Sequence, residues 1–158
     1  MTDLHYQKIT TILTHLSHFS REFPGNIGEQ NLSYCCPFPD EGTIIDDSDM
    51  MEKWFNERLF KRQRRGYDIS FQNSDLVLCH RDLAPRNILW QDDGSVYLID
   101  WITAGYYPIS FEVCTQRCGN DVAFNTKLEE IICARHTIDM TQLQMIIRVW
   151  GNGQKYTL

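Results

Sequence analysis

A chain of 158 residues is long enough for one domain, expected to span 1–158, and can bury roughly 70% of its unfolded surface. Its net charge of −6 argues against non-specific attraction to nucleic acid or anionic membrane and is compatible with a cationic substrate. With 42% hydrophobic and 23% charged residues, no signal-peptide pattern after Met1 and no long apolar run, the composition predicts a soluble, cytoplasmic protein without a membrane span.

Ile9, Ile12, Leu13, Leu16, Phe19 and Phe23 recur at three- and four-residue steps, which predicts an amphipathic helix over residues 4–23. Residues 24–47 are rich in Gly, Pro, Asn and acidic residues and lack either period, so they read as an irregular loop held down by Tyr34, Phe38 and Ile44. Asp49 and Glu52 have capping-box spacing, and Met51, Trp54, Phe55 and Leu59 form an apolar stripe. A second helix should run to about Arg65 and stop at Gly66. Lys61, Arg62, Arg64 and Arg65 suit a helix C-terminus, where the dipole favours cations. "LVLC", "NILW" and "SVYLID" predict three short strands, the last two a hairpin across "QDDG". Three helices should follow: one after Pro108 carrying Phe111, Cys114 and Cys118, one with Leu128, Ile131 and Ile132, and one capped by Asp139. The last carries Leu143, Ile146, Ile147 and Trp150 and should end at Gly151 to Gly153. The six cysteines include no C-x-x-C pair, and Cys114 with Cys118 is a lone helical pair, so they read as reduced thiols and not as a disulfide framework or a zinc site.

The chemistry concentrates in "VLCHRDLAPRNILWQDDGSVYLIDW", residues 77 to 101. A two-residue turn at Asp93-Gly94 pairs residues whose numbers sum to 187 and sets Asn87 opposite Asp100. An amide oxygen beside a carboxylate suits Mg²⁺, a hard cation that takes oxygen ligands. Asp82, in the loop entering the first hairpin strand, can reach the same end and is placed to accept a hydroxyl proton during phosphoryl transfer. His80 reads as a structural residue packed beneath the loop.

His80, Asp82, Leu83 and Asn87 match H-x-D-L-x-x-x-N, and "HRDLAPRNIL" resembles the catalytic loop of the protein-kinase-like superfamily. In "DWITAGYYP" the second Asp opens a segment that resembles the I-D-W…A-G-x-x-P pattern of aminoglycoside phosphotransferase-like proteins, particularly fungal ones; "REFPGNIG" is similar to the same family. The likeness covers about residues 10 to 118 and departs at Ile102, where relatives often carry an acidic residue.

The resemblance implies an α+β, mainly α fold: the helical C-terminal lobe of a kinase-like protein with a catalytic-loop β-hairpin. It implies Asp82 as catalytic base, Asn87 and Asp100 as ligands of Mg²⁺ and the bound nucleotide, and transfer of the γ-phosphoryl group of ATP to a small-molecule hydroxyl. The 81 residues before Asp82 contain neither G-x-G-x-x-G nor V-A-x-K, so the N-terminal ATP lobe is expected to be absent or supplied by a separate chain. An isolated lobe would bind ATP weakly and turn over slowly or not at all. The alternative is a catalytically inactive, kinase-like binding or vestigial module.

Overall fold

The structure, a computed structural model, describes residues 1–27, 45, 47–60 and 68–154. Tyr34, Phe38, Ile44, Cys35, Cys36, the basic cluster at 61–65 and Gly66 lie outside the described residues.

Helix α1 spans Asp3–Leu16, shorter than the stripe predicts. Ile9 and Leu16 bury, while Phe19 and Phe23 are exposed. The chain leaves the helix because its next residues join a sheet: Ser20–Arg21 forms β1, and the Phe19 carbonyl accepts the Leu78 amide at 2.9 Å. Strand β2, Gly25–Asn26, lies within the segment read as irregular. Helix α2, Ser48–Phe60, turns Met51, Trp54 and Phe55 into the core. Its capping side chain is Asp47, whose Oδ1 accepts the Met50 amide at 2.7 Å, and not the expected Asp49. Asn56 in α2 clamps Ile69 with two backbone bonds of 2.9 and 2.8 Å.

Strands β3 (Leu76–Cys79) and β6 (Gly105–Pro108) form the centre of an antiparallel sheet of order β1-β3-β6-β2. Both are largely buried. Cys79 pairs with Gly105, so the chain leaving β3 and the chain entering β6 emerge side by side. A Cβ on Gly105 would sit 2.4 Å from the Gly25 carbonyl oxygen, which makes a side chain there incompatible with the β2–β6 approach.

Between these strands lies the separate hairpin of β4 (Ile88–Trp90) and β5 (Val96–Leu98). Its register is Ile88↔Leu98, Leu89↔Tyr97 and Trp90↔Val96, one residue away from the predicted pairing. The cause is the turn. The Gly94 amide bonds the Gln91 carbonyl at 2.9 Å and Gly94 takes φ +82°, so the loop has three residues and ends on a left-handed glycine. Helix α1 steadies this hairpin through Lys8 Nζ, which donates to the Gly94 carbonyl, and through His5, whose ring centroid is 4.2 Å from that of Trp90.

Helices α3 (Ser110–Cys118), α4 (Val122–Cys133) and α5 (Met140–Gln154) complete the described chain. Asp139 caps α5, its Oδ1 accepting the amides of Thr141 and Gln142 at 2.8 and 3.1 Å. The helix runs through Gly151 and Gly153 instead of ending there. Glycine weakens a helix by about 1 kcal/mol but stops it only when the backbone turns left-handed. An aromatic cluster joins α2, β6 and α3: Phe111 lies 5.6 Å from Phe55, 5.7 Å from Phe71 and 5.4 Å from Tyr107 between ring centroids. Such pairs add about 0.5–1.5 kcal/mol each beyond the area they bury, so α3 is firmly fixed behind the loop that leaves β3. Among the described residues no helix is long and apolar enough to cross a membrane.

Candidate active site

Because Cys79 and Gly105 are partners, His80–Asn87 and Asp100–Ala104 share one end of the sheet. His80 is wholly buried between them. Its Nε2 meets the Ile99 carbonyl at 3.0 Å, its Nδ1 accepts the Asp82 amide at 3.3 Å, and its carbonyl accepts the Thr103 hydroxyl at 2.9 Å. Burial lowers its pKa, against the pull of that carbonyl and of the Asp82 and Asp100 charges. A neutral imidazole with both nitrogens engaged is a brace for the loop and not a proton shuttle. Both carboxylates act on this one ring, which places Asp82 and Asp100 around it.

Asp82 is held from two sides. Asn87 Nδ2 donates to the Asp82 carbonyl and to its Oδ2, both at 2.8 Å, and the Arg86 guanidinium pairs with Oδ1. The link to Asn87 is local: Pro85–Asn87 is a 3₁₀ turn started by proline, which swings the Asn87 side chain back over the loop. With its side chain 30% exposed, Asp82 remains reachable by a small molecule. Asn87 spends its amide protons on Asp82, and its Oδ1 accepts no bond among the described residues.

Asp100 lies one residue past the position opposite Asn87. The Asn87 carbonyl instead receives the Ile99 amide at 3.0 Å. Asp100 takes φ +63° and ψ +64° before a 3₁₀ turn, is exposed, and has no hydrogen-bond partner among the described residues. Arg81, at φ +65°, is the other non-glycine residue in this conformation among the described residues. Such backbone costs about 1 kcal/mol or more per residue and persists only where its surroundings enforce it. Both cases flank the same site. The oxygen of Asn87 and the carboxylate of Asp100 are hard donors of the kind Mg²⁺ takes, so the donor chemistry fits that ion. No group of three or more His, Cys, Asp or Glu side chains that could hold a metal occurs among the described residues.

What enforces Arg81 is Glu112, which the sequence reading did not single out. This α3 carboxylate is 1% exposed and accepts the Arg81 amide at 3.2 and 3.0 Å. Burial raises its pKa to about 7, opposed by the backbone amides of Arg81 and His80 and by the Arg81 charge. The Arg81 guanidinium lies over Tyr107, 4.2 Å from the ring centroid. An acidic residue between Phe111 and Val113 on an apolar helix was the only signal available.

Asp82 and Arg86 open onto a cavity of about 480 Å³ that runs to the C-terminal end of α3, the start of α4 and Trp150 of α5. Cys118 lies in its wall and bonds Cys114 one turn back, which lowers the Cys118 pKa to about 7. Cys79, Cys114, Cys118 and Cys133 are free thiols.

A family model described as the phosphotransferase enzyme family matches residues 44–145, well over half of the chain. No curated protein and no solved structure matches.

Proposed function

This chain belongs to the phosphotransferase enzyme family, and we propose that it serves the transfer of the γ-phosphoryl group of ATP to a small-molecule hydroxyl. The observation that carries the reading is Asp82: a half-exposed carboxylate, held by Asn87 and Arg86, facing a cavity large enough for a small acceptor. Asp82 accepts the acceptor's hydroxyl proton as that oxygen bonds the γ-phosphorus and the bond to the departing ADP oxygen breaks. The Asn87 oxygen and the Asp100 carboxylate would hold Mg²⁺, which neutralises phosphate charge when bound. Arg86 keeps the Asp82 carboxylate aimed, and Glu112 holds the loop that presents it. Leu89, Tyr97 and Ile99 are exposed on the outer face of the hairpin, an apolar surface that supports a nucleotide-covering lobe seated there. Free thiols in the core agree with a reducing, cytoplasmic setting.

The test is phosphoryl transfer from MgATP to a panel of small hydroxyl compounds, with sugar- or alcohol-phosphate formation read by mass spectrometry. Wild type should transfer slowly, as expected of a lobe that binds ATP weakly, and Asp82→Asn should reduce the product to the level of a no-protein control while leaving thermal unfolding near wild type. Transfer that survives Asp82→Asn would end the assignment.

A further inference from the structure

The last turn of α3 carries two thiols on one face. Cys114 and Cys118 stand four residues apart in the helix, a spacing that sets Cβ atoms about 5–6 Å from each other and Cα atoms within disulfide range. Cys114 is buried, whereas Cys118 is exposed and lies in the wall of the cavity beside Asp82. The Cys114 S–H donates to the Cys118 sulfur, which brings the Cys118 pKa down to about 7, while burial drives that of Cys114 up. A thiol that is partly thiolate at neutral pH, open to solvent and one turn from a second sulfur suits reversible oxidation. Cys133 differs: it is half-buried, and burial and the Glu129 charge raise its pKa.

The place where α3 stops gives the pair a mechanical consequence. Gly119 already turns to φ −78° and ψ 160°, its amide holding the Gln116 carbonyl at 3.3 Å. Closing a disulfide needs Cβ atoms about 3.5–4.5 Å apart, so this end turn must distort. Gly119 moves with it. A Cβ on Gly119 would lie 2.4 Å from Asn125 Nδ2, so its backbone sits tightly against α4. Asp121, two residues on, caps α4 by accepting the Phe124 amide at 3.1 Å. A displaced Cys118 therefore disturbs the start of α4 and the cavity wall together.

We propose that Cys118 is a site of oxidative modification by hydroperoxides and Cys114 its resolving thiol, the resulting disulfide displacing residues 119–121 in the cavity wall. The Cys118 thiolate bonds one peroxide oxygen as the O–O bond breaks. Its sulfur is oxidised by two electrons to sulfenic acid, and the departing hydroxide takes a proton to become water. The Cys114 sulfur then bonds the Cys118 sulfur, the S–O bond breaks, and the hydroxyl leaves with the Cys114 proton as a second water. One peroxide is reduced and two thiols become one disulfide. Neither step depends on phosphoryl transfer.

The experiment treats the full chain with graded hydrogen peroxide near pH 7, blocks remaining thiols with iodoacetamide and digests with trypsin, which cleaves after Arg117 between the two cysteines. Peptides 87–117 and 118–127 should be recovered joined, as a species that dithiothreitol splits. In Cys114→Ala, dimedone should instead trap sulfenic acid on Cys118, at least tenfold faster than on Cys133. Cys118→Ser, a change at an exposed position, should leave Cys114 reduced. Hydrogen exchange of amides 119–125 should rise at least tenfold in oxidised wild type, return on reduction and stay unchanged in peroxide-treated Cys118→Ser. The proposal is overturned by a disulfide from Cys118 to any other cysteine or to a second chain, or by wild-type oxidation that stops on Cys118 without a disulfide. Oxidation of Cys114 in Cys118→Ser, or unaltered exchange of 119–125 in the joined product, overturns it equally.

Discussion

Glu112→Gln isolates the one carboxylate among the described residues that the fold holds out of water behind the His80–Asn87 loop. The folded pKa of about 7 stands above the ordinary 4.5 because burial outweighs the bonds from Arg81 and His80. At about 1.4 kcal/mol per pH unit, that gap corresponds to about 3 kcal/mol. The sign follows from proton counting. Between pH 4.5 and 7 the folded chain holds a proton on Glu112 that the unfolded chain has lost, so stability falls as pH rises through this window and levels off above it. From pH 5.5 to 8 the loss should be about 2 kcal/mol, or roughly 4–8 °C in Tm for a chain of this size. Gln keeps a carbonyl oxygen for the Arg81 amide but cannot titrate. Tm measured by circular dichroism across pH 5.5–8 should therefore show a wild-type decline that Glu112→Gln lacks. Subtracting the two curves also removes His80, whose lowered pKa works in the opposite direction, with stability lost as pH falls below about 6.5. A wild-type minus variant difference that stays constant across the window would show that Arg81 keeps Glu112 ionised throughout, and would refute the reasoning.

The other predictions test the turn, the sheet and the thiol pair. Gly94→Ala should destabilise the chain by about 1–2 kcal/mol in urea titrations, because φ +82° suits glycine and the new Cβ would lie 3.0 Å from Lys8 Nζ; Gly94→Asn should cost less. Gly105→Ala should cost about 3 kcal/mol or more in the same assay, since its Cβ would meet backbone of β2 at 2.4 Å. Near pH 7, iodoacetamide should label Cys118 before Cys79, Cys114 or Cys133. Cys114→Ala should move the midpoint of Cys118 reactivity up from about 7 by removing the Cys114 bond; an unmoved midpoint would reject that cause.

Local order was legible in the residues alone. The His80-x-Asp82…Asn87 spacing bounds a loop whose proline-started turn folds Asn87 back on Asp82, and that needs only eight consecutive residues. The Asp139 cap and the stripes of α2, α4 and α5 were equally local. The hairpin was visible too, but its register was not, because Asp93-Gly94 serves either a two- or a three-residue loop and only the packed chain selects between them. That single residue puts Ile99 and not Asp100 opposite Asn87. Strands β1 and β2 have two residues each, too few to carry any period, and they exist because β3 and β6 offer them edges. Phe19 and Phe23 kept a helical rhythm by coincidence until that edge claimed the chain. Burial decided the rest: Glu112 acquires its altered acidity from α3 packing 31 residues away from Arg81, and the polar wall of the cavity is gathered from α3, α4 and α5. Contacts between distant segments leave no spacing in a sequence, so the loop that carries Asp82 was readable in one dimension and the cavity beside it only in three.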